Sequence, residues 1–533
     1  MSARLRLRVV MIDMKISPIS NEISSHQDAA VSENAVRVPA HGHNPAAAAH
    51  QQKEEIGICE PWPRSALSRS LAGSLMLSIH NGVRGLGGIV TAPASKPHTQ
   101  RALVTGALTR SGTSTVTNAA WSRETTLLLA GLNQFGATST IDGDRASITV
   151  DPDAASASPV REVDVAGSAF TLRVLGVLAA VSGGTTHFRA TRGMMNRPVA
   201  KHLGVLTHQL GAVLSTYGND SEYVVSIKGR GRRCDQQATH VVDTVDSSQL
   251  VTALMLSAPF ISEELRVRAA TRRVVGAPYI ALTREMLGAL GASTGLAHSA
   301  QHGWEWSAVI EPGGYPASEY RIATDFTSIT YFAVVAAAGE VGQHKVVIKN
   351  YTPSGLESED LFFRAIAKLG IGTTYDPAES TLQIRRVGYP AEPVVIDGSD
   401  VPTAVTSLAA IAAYSRGAVT AVNCGHVNNH KTRRVELIVR TLARMGFDIR
   451  EVRDHRDVVT GFHTEPLDGP PRGGIVIDDD GDHRVLLPAM AAAVGASNPV
   501  AFSDLHSLID SFPEFIEQLE ALGAVVDRPK TQS

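Results

Sequence analysis

The feature that most constrains this chain is a short pattern that recurs six times at near-constant spacing. Each copy is an amphipathic helical segment that ends in Leu, Phe or Met, followed by Gly and then by a small or apolar residue. A glycine just past a helix end adopts the left-handed conformation that closes the helix. The spacings are 75, 80, 79, 76 and 77 residues, which indicates a structural repeat covering nearly all of 85–527. The glycines are Gly136, Gly211, Gly291, Gly370, Gly446 and Gly523.

Each unit also contains strand-like segments and a second, more apolar helix. Strand-like stretches follow the repeat glycines, as at 147–150 and 223–227. Helices that are apolar nearly all round are buried, so each unit is predicted to have an inner helix, an outer helix and a sheet between them. The predicted inner helices include 171–181, 249–258, 330–338 and 403–415. We therefore predict an α/β protein in which three units surround a common axis and two such domains face each other across a cleft.

Composition and charge narrow the possible functions. The chain has 533 residues, 19% of them charged, and a formal net charge of −3, so it has no global attraction to nucleic acid or anionic membranes. No apolar run approaches the roughly 20 residues that span a bilayer. Cys59, Cys234 and Cys424 lie far apart without C-x-x-C spacing, which favours a reducing compartment over disulfides or a zinc site. We expect a cytoplasmic protein that needs no metal and no cofactor and binds neither nucleic acid nor membranes.

The two ends of the chain lack the repeat. Residues 1–84 are rich in Ala, Ser, His and Asn and show no sustained periodicity, so we predict a mobile extension there. Residues 528–533 form a short tail. The sequence does not determine the oligomeric state, and we favour a monomer.

One stretch brings cations to the start of a predicted helix. A short strand at 88–90 leads into a Pro-containing turn and then into an apolar helical run. Lys96 lies in the turn and Arg101 in the first turn of the helix. A helix N-terminus offers free N–H groups and the positive end of a dipole, so cations placed there predict an anion site.

A series of short motifs follows this stretch in a fixed order. With the six-unit layout, they resemble the enolpyruvyl transferases, above all the 3-phosphoshikimate 1-carboxyvinyltransferases (EPSP synthases), over 85–527. The resemblance implies a two-domain inside-out α/β barrel of six βαβαββ repeats, with 85–95 and 323–527 in one domain and 96–322 in the other. The motifs are Ser95-Lys-Pro-His-Thr-Gln-Arg101, Gly167-Ser-Ala-Phe-Thr-Leu-Arg173, Arg197-Pro198, Ser247-Ser-Gln249, Pro278-Tyr279, Thr324-Asp-Phe-Thr-Ser328, Asp482-His-Arg484 and Ser511-Phe-Pro513.

The resemblance also implies a reaction and its binding groups. Such carboxyvinyltransferases move the enolpyruvyl group of phosphoenolpyruvate to a hydroxyl of a phosphorylated acceptor and release phosphate. Phosphoenolpyruvate carries a carboxylate and a phosphate, both of which Arg matches with two parallel hydrogen bonds. The matching positions are Lys96, Arg197, Arg434 and Arg484 for phosphoenolpyruvate, and Arg101, Arg173, Ser247, Ser248, Gln249 and Tyr279 for the acceptor.

The chain departs from the family at the positions that transfer protons. The family's catalytic aspartate falls on Thr403, and a threonine is no base near pH 7. The family's Lys-Glu pair falls on His430 and Lys431. With Lys96, the remaining candidates for proton transfer are His430, whose ordinary pKa is near 6.5, and Asp400. Further departures are Pro97 and Gly276, each in place of a serine, and Asp510 in place of a lysine.

Three interpretations follow from these departures. The chain is a specialised enolpyruvyl transferase with another acceptor, for example a nucleotide such as UMP, since some relatives use nucleotides. Alternatively it is an ordinary EPSP synthase of the shikimate pathway with displaced catalytic groups, or a non-catalytic protein that retains the anion cleft. The branch that acts on UDP-N-acetylglucosamine is disfavoured, because its cysteine would fall on Arg192.

Overall fold

A computed structural model describes most of the chain beyond residue 75. The described residues are 76–81, 85–150, 159–195, 199–218, 223–231, 239–245, 247–272, 274–300, 303–342, 345–355, 357–429, 432–478, 480–509 and 511–528. Most of the predicted extension, 1–75, and the last five residues lie outside them.

The described residues contain 24 strands. In chain order the strands are β1 (Leu77–Asn81), β2 (Gly88–Thr91), β3 (Gly112–Thr117), β4 (Ala137–Asp142), β5 (Arg145–Val150), β6 (Val160–Ala166), β7 (Thr185–Ala190), β8 (Val213–Gly218), β9 (Tyr223–Lys228), β10 (Thr239–Val242), β11 (Glu264–Ala269), β12 (Ser293–Ser299), β13 (Gly303–Val309), β14 (Glu319–Arg321), β15 (Val346–Lys349), β16 (Ile371–Asp376), β17 (Thr381–Arg386), β18 (Val394–Asp397), β19 (Val419–Val422), β20 (Ile449–Arg453), β21 (Val459–Thr464), β22 (Val476–Asp478), β23 (Val500–Ser503) and β24 (Ala524–Asp527).

The described helices fall between these strands. They are α1 (Lys96–Ala107), α2 (Arg123–Asn133), α3 (Ala169–Val181), α4 (Val199–Gln209), α5 (Gln249–Leu256), α6 (Ala258–Ile261), α7 (Ala277–Ala289), α8 (Phe326–Ala338), α9 (Glu357–Lys368), α10 (Val405–Ala413), α11 (Arg434–Met445), α12 (His483–Ala493), α13 (His506–Ile509) and α14 (Phe515–Ala521). Not one of them is long and apolar enough to cross a membrane.

The described strands form six sheets of four strands with one common topology. In the sheet β6-β7-β9-β8, β6 runs parallel to β7, β7 antiparallel to β9, and β9 antiparallel to β8. Helix α3 connects β6 to β7 and α4 connects β7 to β8, so the unit is βαβαββ. The same order recurs in β10-β11-β13-β12, β18-β19-β21-β20, β2-β15-β17-β16, β14-β3-β5-β4 and β22-β23-β1-β24. The predicted α/β fold of six such repeats is confirmed.

The repeat glycines close the helices as their spacing predicts. All six have positive φ, from 74° to 103°. At Gly370 a side chain is excluded by space as well, because a Cβ there would lie 2.1 Å from the carbonyl oxygen of Gly388. The left-handed turn and this close approach together explain why the pattern requires glycine.

The structure corrects the prediction for the end of the N-terminal extension. Residues 77–81, predicted to be mobile, form β1, which lies between β23 and β24 and pairs antiparallel with both. Leu77 and Ile79 are buried. The strand completes the last unit of the chain, which has only three strands of its own. A partner more than 400 residues away leaves no local signal, so sequence periodicity missed it.

The described residues bury two hydrophobic cores. The first contains β1, β2 and the elements from α8 to β24, and the second contains the elements from α1 to β14. Helices α8, α10 and α12 pack on one another at the centre of the first core. We call these parts the first and second halves. The exact domain boundaries remain a prediction, because they include residues that the structure does not describe.

The described chain passes between the halves at 92–95 and 322–325, and these two segments pair. Ala94 and Thr324 form an isolated antiparallel bridge. On one side of it the Ser95 N–H donates to the carbonyl oxygen of Ala323 at 2.7 Å, and on the other the Asp325 N–H donates to that of Pro93 at 2.8 Å. Helix α1 begins directly after one crossing and α8 directly after the other, so both starts are fixed at the junction.

Candidate active site

Three helix N-termini converge in the first half, and Arg484 connects them. Arg484 lies in the first turn of α12 and donates from Nη1 to the carbonyl oxygen of Thr403, before α10, at 3.2 Å. The same nitrogen lies 3.3 Å from Oγ1 of Thr327, in the first turn of α8. Asp325 caps α8 by accepting from the Ser328 N–H at 3.0 Å. The N-terminal turns of three helices therefore lie close together around Arg484, an arrangement that suits an anion.

Arg434, the first residue of α11, joins this region through a buried ion pair. Its Nε donates to Oδ2 of Asp482 at 2.8 Å, and the side chains are only 10% and 1% exposed. Oγ1 of Thr432 donates to the same oxygen at 2.8 Å. Burial alone would raise the pKa of Asp482, but the charge and hydrogen bond of Arg434, with the Thr432 hydroxyl, lower it to about 2. Asp482 is therefore ionised at neutral pH, and it fixes the position of Arg434.

Lys96 is the cation that the second half of the molecule contributes to the candidate site. It is the first residue of α1, which Ser95 caps by accepting from the His98 N–H. Its Nζ lies 3.2 Å from Oε2 of Glu124, in the first turn of α2, and both side chains are partly exposed. A long-range pair of this kind has no sequence signature, and Glu124 was not predicted as a site residue.

Electrostatic interactions join the second half to the start of α12. The charge of Lys96 acts on His483, and the hydroxyl of Tyr279 acts on Arg484, so α1 and α7 of the second half approach the start of α12. Burial opposes the charge of Arg484, but Tyr331, Tyr279 and nearby carboxylates raise its pKa. Lys96, Arg434, Arg484 and Tyr279, predicted from motifs far apart in the chain, are thus brought together.

The predicted acceptor residues gather at the start of α5. Arg173 of α3 donates from Nη1 to Oε1 of Gln249 at 2.5 Å. Oγ of Ser247 accepts from the Gln249 N–H at 3.2 Å, and Ser248 is the N-cap residue of α5. Gly276, before α7, has φ of 73°, and a Cβ there would come within 2.9 Å of the Ser248 Oγ. The absence of a side chain at Gly276 thus lets the two helix starts approach closely.

Arg101 lies deeper than a ligand-contacting residue on the cleft wall would. It is 3% exposed, and burial lowers its pKa to about 10. It donates to Oγ1 of Thr283 at 2.9 Å, to the carbonyl oxygen of Tyr279 at 3.0 Å and to that of Pro97 at 2.9 Å. These bonds tie α1 to α7, so Arg101 positions the acceptor region. Direct contact with the acceptor stays a prediction.

Several predicted residues are not located by the described structure. Arg197 and His430 lie outside the described residues. Asp400 ends the 3₁₀ turn Gly398–Asp400, and its side chain is not described. Thr403 is described, and its carbonyl oxygen accepts a hydrogen bond from Nη1 of Arg484 at 3.2 Å. Among the described residues, no group of three or more His, Cys, Asp or Glu side chains is arranged to hold a metal ion.

The fold consists of two halves of three βαβαββ units each, and both halves place cations at helix N-termini. This arrangement is that of the enolpyruvyl transferase class. The sequence model of one family, described as EPSP synthase (3-phosphoshikimate 1-carboxyvinyltransferase), matches residues 81–519. The chain belongs to this family, and the resemblance carried by its motifs is confirmed. It is therefore an enolpyruvyl transferase-like protein of the carboxyvinyltransferase class, enzymes that transfer alkyl or aryl groups other than methyl.

Relatives and solved structures agree with this assignment. The chain is 27% identical over 443 residues to a protein of Methanocella arvoryzae named 3-phosphoshikimate 1-carboxyvinyltransferase, covering 83% of this chain and 97% of the relative. A Methanosarcina acetivorans protein of the same name is also 27% identical, over 82% of this chain and 96% of its own. The EPSP synthase structure of Acinetobacter baumannii matches with a TM-score of 0.68 at 18% identity, over 86% of this chain and all of that one. The enolpyruvyl transferase NikO of Streptomyces tendae matches with a TM-score of 0.60 at 16% identity, over 86% and 99%. The last two comparisons show the fold.

Proposed function

We propose that this protein transfers the enolpyruvyl group of phosphoenolpyruvate to a hydroxyl of a phosphorylated acceptor other than shikimate 3-phosphate, for example a nucleotide such as UMP, and releases phosphate. One observation carries the proposal. The cations Lys96, Arg434 and Arg484 meet at helix N-termini, while the residue beside Arg484 is Thr403 where the family has its catalytic aspartate.

The cation arrangement supports phosphoenolpyruvate as the donor. A guanidinium fork matches either a carboxylate or a phosphate with two hydrogen bonds, and a helix N-terminus adds N–H donors of the same polarity. Arg434 is held rigidly by Asp482, and Arg484 is held by α8 and α10, so little order has to be gained on binding. Lys96 adds a charge from the opposite half.

Two positions favour an acceptor different from that of EPSP synthase. Thr403 supplies no carboxylate, so the acceptor hydroxyl needs another base, for which His430 and Asp400 remain the candidates. Gly276, beside Ser248, lacks the hydroxyl that the family places there, so the acceptor's own phosphate would meet a different set of donors. An acceptor with another shape and another phosphate position is consistent with both changes.

The relatives favour a second candidate. They carry the name 3-phosphoshikimate 1-carboxyvinyltransferase at 24–27% identity over more than four fifths of this chain. An ordinary EPSP synthase with displaced catalytic groups would explain that similarity, and it predicts shikimate 3-phosphate as the acceptor.

The deciding experiment measures phosphate release from phosphoenolpyruvate with shikimate 3-phosphate, and separately with UMP and other nucleoside monophosphates. We expect release with a nucleotide acceptor and little with shikimate 3-phosphate. Ordinary rates with shikimate 3-phosphate would establish the second candidate instead. Binding of phosphoenolpyruvate without release in any arm would leave the non-catalytic interpretation.

A variant pair ties the activity to this site. Arg484→Lys keeps the charge but removes the guanidinium fork, and we expect it to lower kcat/KM for phosphoenolpyruvate by on the order of 10- to 100-fold. Arg433→Lys is the matched control, because Arg433 is 64% exposed and pairs with Glu436 on the surface. Equal effects of the two substitutions would place phosphoenolpyruvate elsewhere.

A further inference from the structure

The starts of α1 and α2 are joined through one loop residue, Ala120. Thr99, in the first turn of α1, accepts a hydrogen bond at Oγ1 from the Ala120 N–H at 2.9 Å. Thr125, in the first turn of α2, donates from Oγ1 to the carbonyl oxygen of Ala120 at 2.8 Å. Both threonines are fully buried. The two backbone groups of Ala120 are thus held by threonines of two different helices, and we call this arrangement the Ala120 bridge.

The two hydroxyls of the Ala120 bridge also bond to the caps of their own helices. Oγ1 of Thr99 donates to the carbonyl oxygen of Ser95, the N-cap residue of α1, at 3.0 Å. Oγ1 of Thr125 accepts from the N–H of Ser122, the N-cap residue of α2, at 2.8 Å. A hydroxyl has one donor and two acceptor positions, so each threonine serves its helix cap and the loop at once. The bridge therefore fixes one helix start against the other.

The ion pair of Lys96 and Glu124 lies between these two helix starts. Lys96 is three residues before Thr99, and Glu124 directly precedes Thr125. Nζ of Lys96 lies 3.2 Å from Oε2 of Glu124, and both side chains are about a third exposed. An exposed pair of this kind is too weak to hold two helices together. The buried hydrogen bonds of the Ala120 bridge set the distance between the helix starts instead, and that distance decides where Glu124 holds the flexible ammonium group.

The loop that contains Ala120 is also fixed to the junction between the halves. Asn118, at the other end of this loop, donates from Nδ2 to the carbonyl oxygen of Ile322 at 2.8 Å. The Ser95 N–H donates to the carbonyl oxygen of the next residue, Ala323. Asn118 has a φ of 55°, in the left-handed region that asparagine tolerates better than most residues. The start of α1 and the loop before α2 are thus fixed to neighbouring carbonyl groups of one crossing.

We propose that Thr99 is a positioning residue for phosphoenolpyruvate: through the Ala120 bridge it fixes Glu124 against Lys96, and so fixes the place at which the ammonium group meets the substrate. The inference rests on the proposed function, because phosphoenolpyruvate is the anion that Lys96 would bind there. Thr99 acts through other residues, since its own side chain is fully buried. Order that is already present in the free protein does not have to be gained on binding, and this is how the bridge contributes to affinity.

Isothermal titration calorimetry of the full-length protein with phosphoenolpyruvate tests the role of the hydroxyl. Thr99→Val keeps the shape of the side chain but removes the hydroxyl, and we expect Kd to rise on the order of 10-fold. Thr99→Ser keeps the hydroxyl and should bind as the wild type does. Thr105→Val is the matched control on the same helix. Thr105 is also fully buried and also bonds to the carbonyl oxygen four residues earlier, but its other partner is Tyr320, so its loss should leave Kd unchanged.

A double-mutant cycle with Glu124→Gln separates positioning from a general loss of stability. If Thr99 acts through Glu124, Thr99→Val should raise Kd on the order of 10-fold in the wild-type background but by less than about twofold in the Glu124→Gln background. A general weakening of the fold would give the same ratio in both backgrounds. If Thr99→Val does not fold, Thr125→Val removes the other hold on Ala120 and is measured in the same cycle, with the same expectation.

The outcomes distinguish the inference from the proposed function. Equal Kd ratios in the two backgrounds, or wild-type affinity in Thr99→Val, would overturn the inference and leave the proposed function intact. A loss of affinity in Thr99→Ser as large as that in Thr99→Val would overturn it too, because the hydroxyl would not be the cause. A wild-type protein that does not bind phosphoenolpyruvate at all would overturn the proposed function and the inference together.

Discussion

Lys96 and Glu124 form an ion pair between the starts of α1 and α2, and its exposure suggests that it serves the ligand more than the fold. Both side chains are about a third exposed, so the pair adds little to stability. Under the proposed function, Glu124 orients the ammonium group until a substrate anion competes for it. The pair therefore holds a cation in place without burying its charge.

We expect Lys96→Ala to lower kcat/KM for phosphoenolpyruvate by on the order of 100-fold, because it removes the charge that the second half contributes. Steady-state phosphate release is the measurement. Lys368→Ala, on the exposed last turn of α9, is the control. Unchanged kinetics for Lys96→Ala would show that the site lies elsewhere.

Asp482 serves stability as well as the site. Its pKa of about 2 lies below the ordinary value of 3.8, so its ionisation contributes about 2 kcal/mol at neutral pH, and this contribution is lost as the pH falls from about 4 toward 2. Asp482→Asn leaves Arg434 buried without its charged partner, and we expect a loss of about 3–5 kcal/mol at pH 7. Urea denaturation at pH 7 and pH 3 measures both effects. Asp480→Asn, whose carboxylate is 49% exposed, should change little; a similar loss there would argue against the buried pair as the cause.

At the scale of helices and strands, the repeat was predictable from the sequence, but the side-chain hydrogen bonds that join its elements were not. The six glycines and the apolar inner helices are local patterns, and both were correct. Buried arginines join elements that are distant in sequence. Arg386 donates to the carbonyl oxygens of Ala337 and Tyr414, at the ends of α8 and α10. Arg161 does the same for the carbonyl oxygens of Gln134 and Gly183. Carbonyls at helix ends lack partners within the helix, so a buried guanidinium satisfies several at once.

The candidate site was likewise only partly predictable from the sequence. The candidate cations were predicted from short motifs, because each motif keeps its own residues together. The ion pair of Lys96 with Glu124, and the charges that surround His483, depend on how α1, α2, α11 and α12 pack. No pattern along the chain records these contacts, so they required coordinates.

We expect Arg386→Met to destabilise the protein by about 2–4 kcal/mol, because it leaves buried carbonyl groups without donors. Chemical denaturation measures the change. Arg385→Met is the matched control one residue earlier, where the side chain is exposed. If both variants lose the same stability, the hydrogen bonds of Arg386 to the helix ends are not its cause.

At the scale of the molecule, the two crossings form the only direct backbone pairing between the halves that the described residues show as a β-bridge. The first residues of α1 and α8 follow these crossings immediately, so any twist at the junction moves Lys96 relative to the helix starts of the first half. Ligands that contact both halves commonly close such a cleft. The junction would then control how closely the opposing cations approach.

A disulfide at the junction tests whether this motion is needed. The hydrogen bonds on either side of Ala94 and Thr324 mark a non-hydrogen-bonded antiparallel pair, whose Cα atoms lie about 4.5 Å apart, within the range of a disulfide. In a background with Cys59→Ser and Cys234→Ser, we expect Ala94→Cys/Thr324→Cys to form this bond and to lower kcat severalfold when oxidised. Reduction should restore the rate. Because both rates are measured on one variant, the effect of the disulfide is separated from the effect of losing the Thr324 hydroxyl. Full activity in the oxidised form would mean that turnover proceeds without a twist at the crossings, and that the cations of the two halves are already in their working positions.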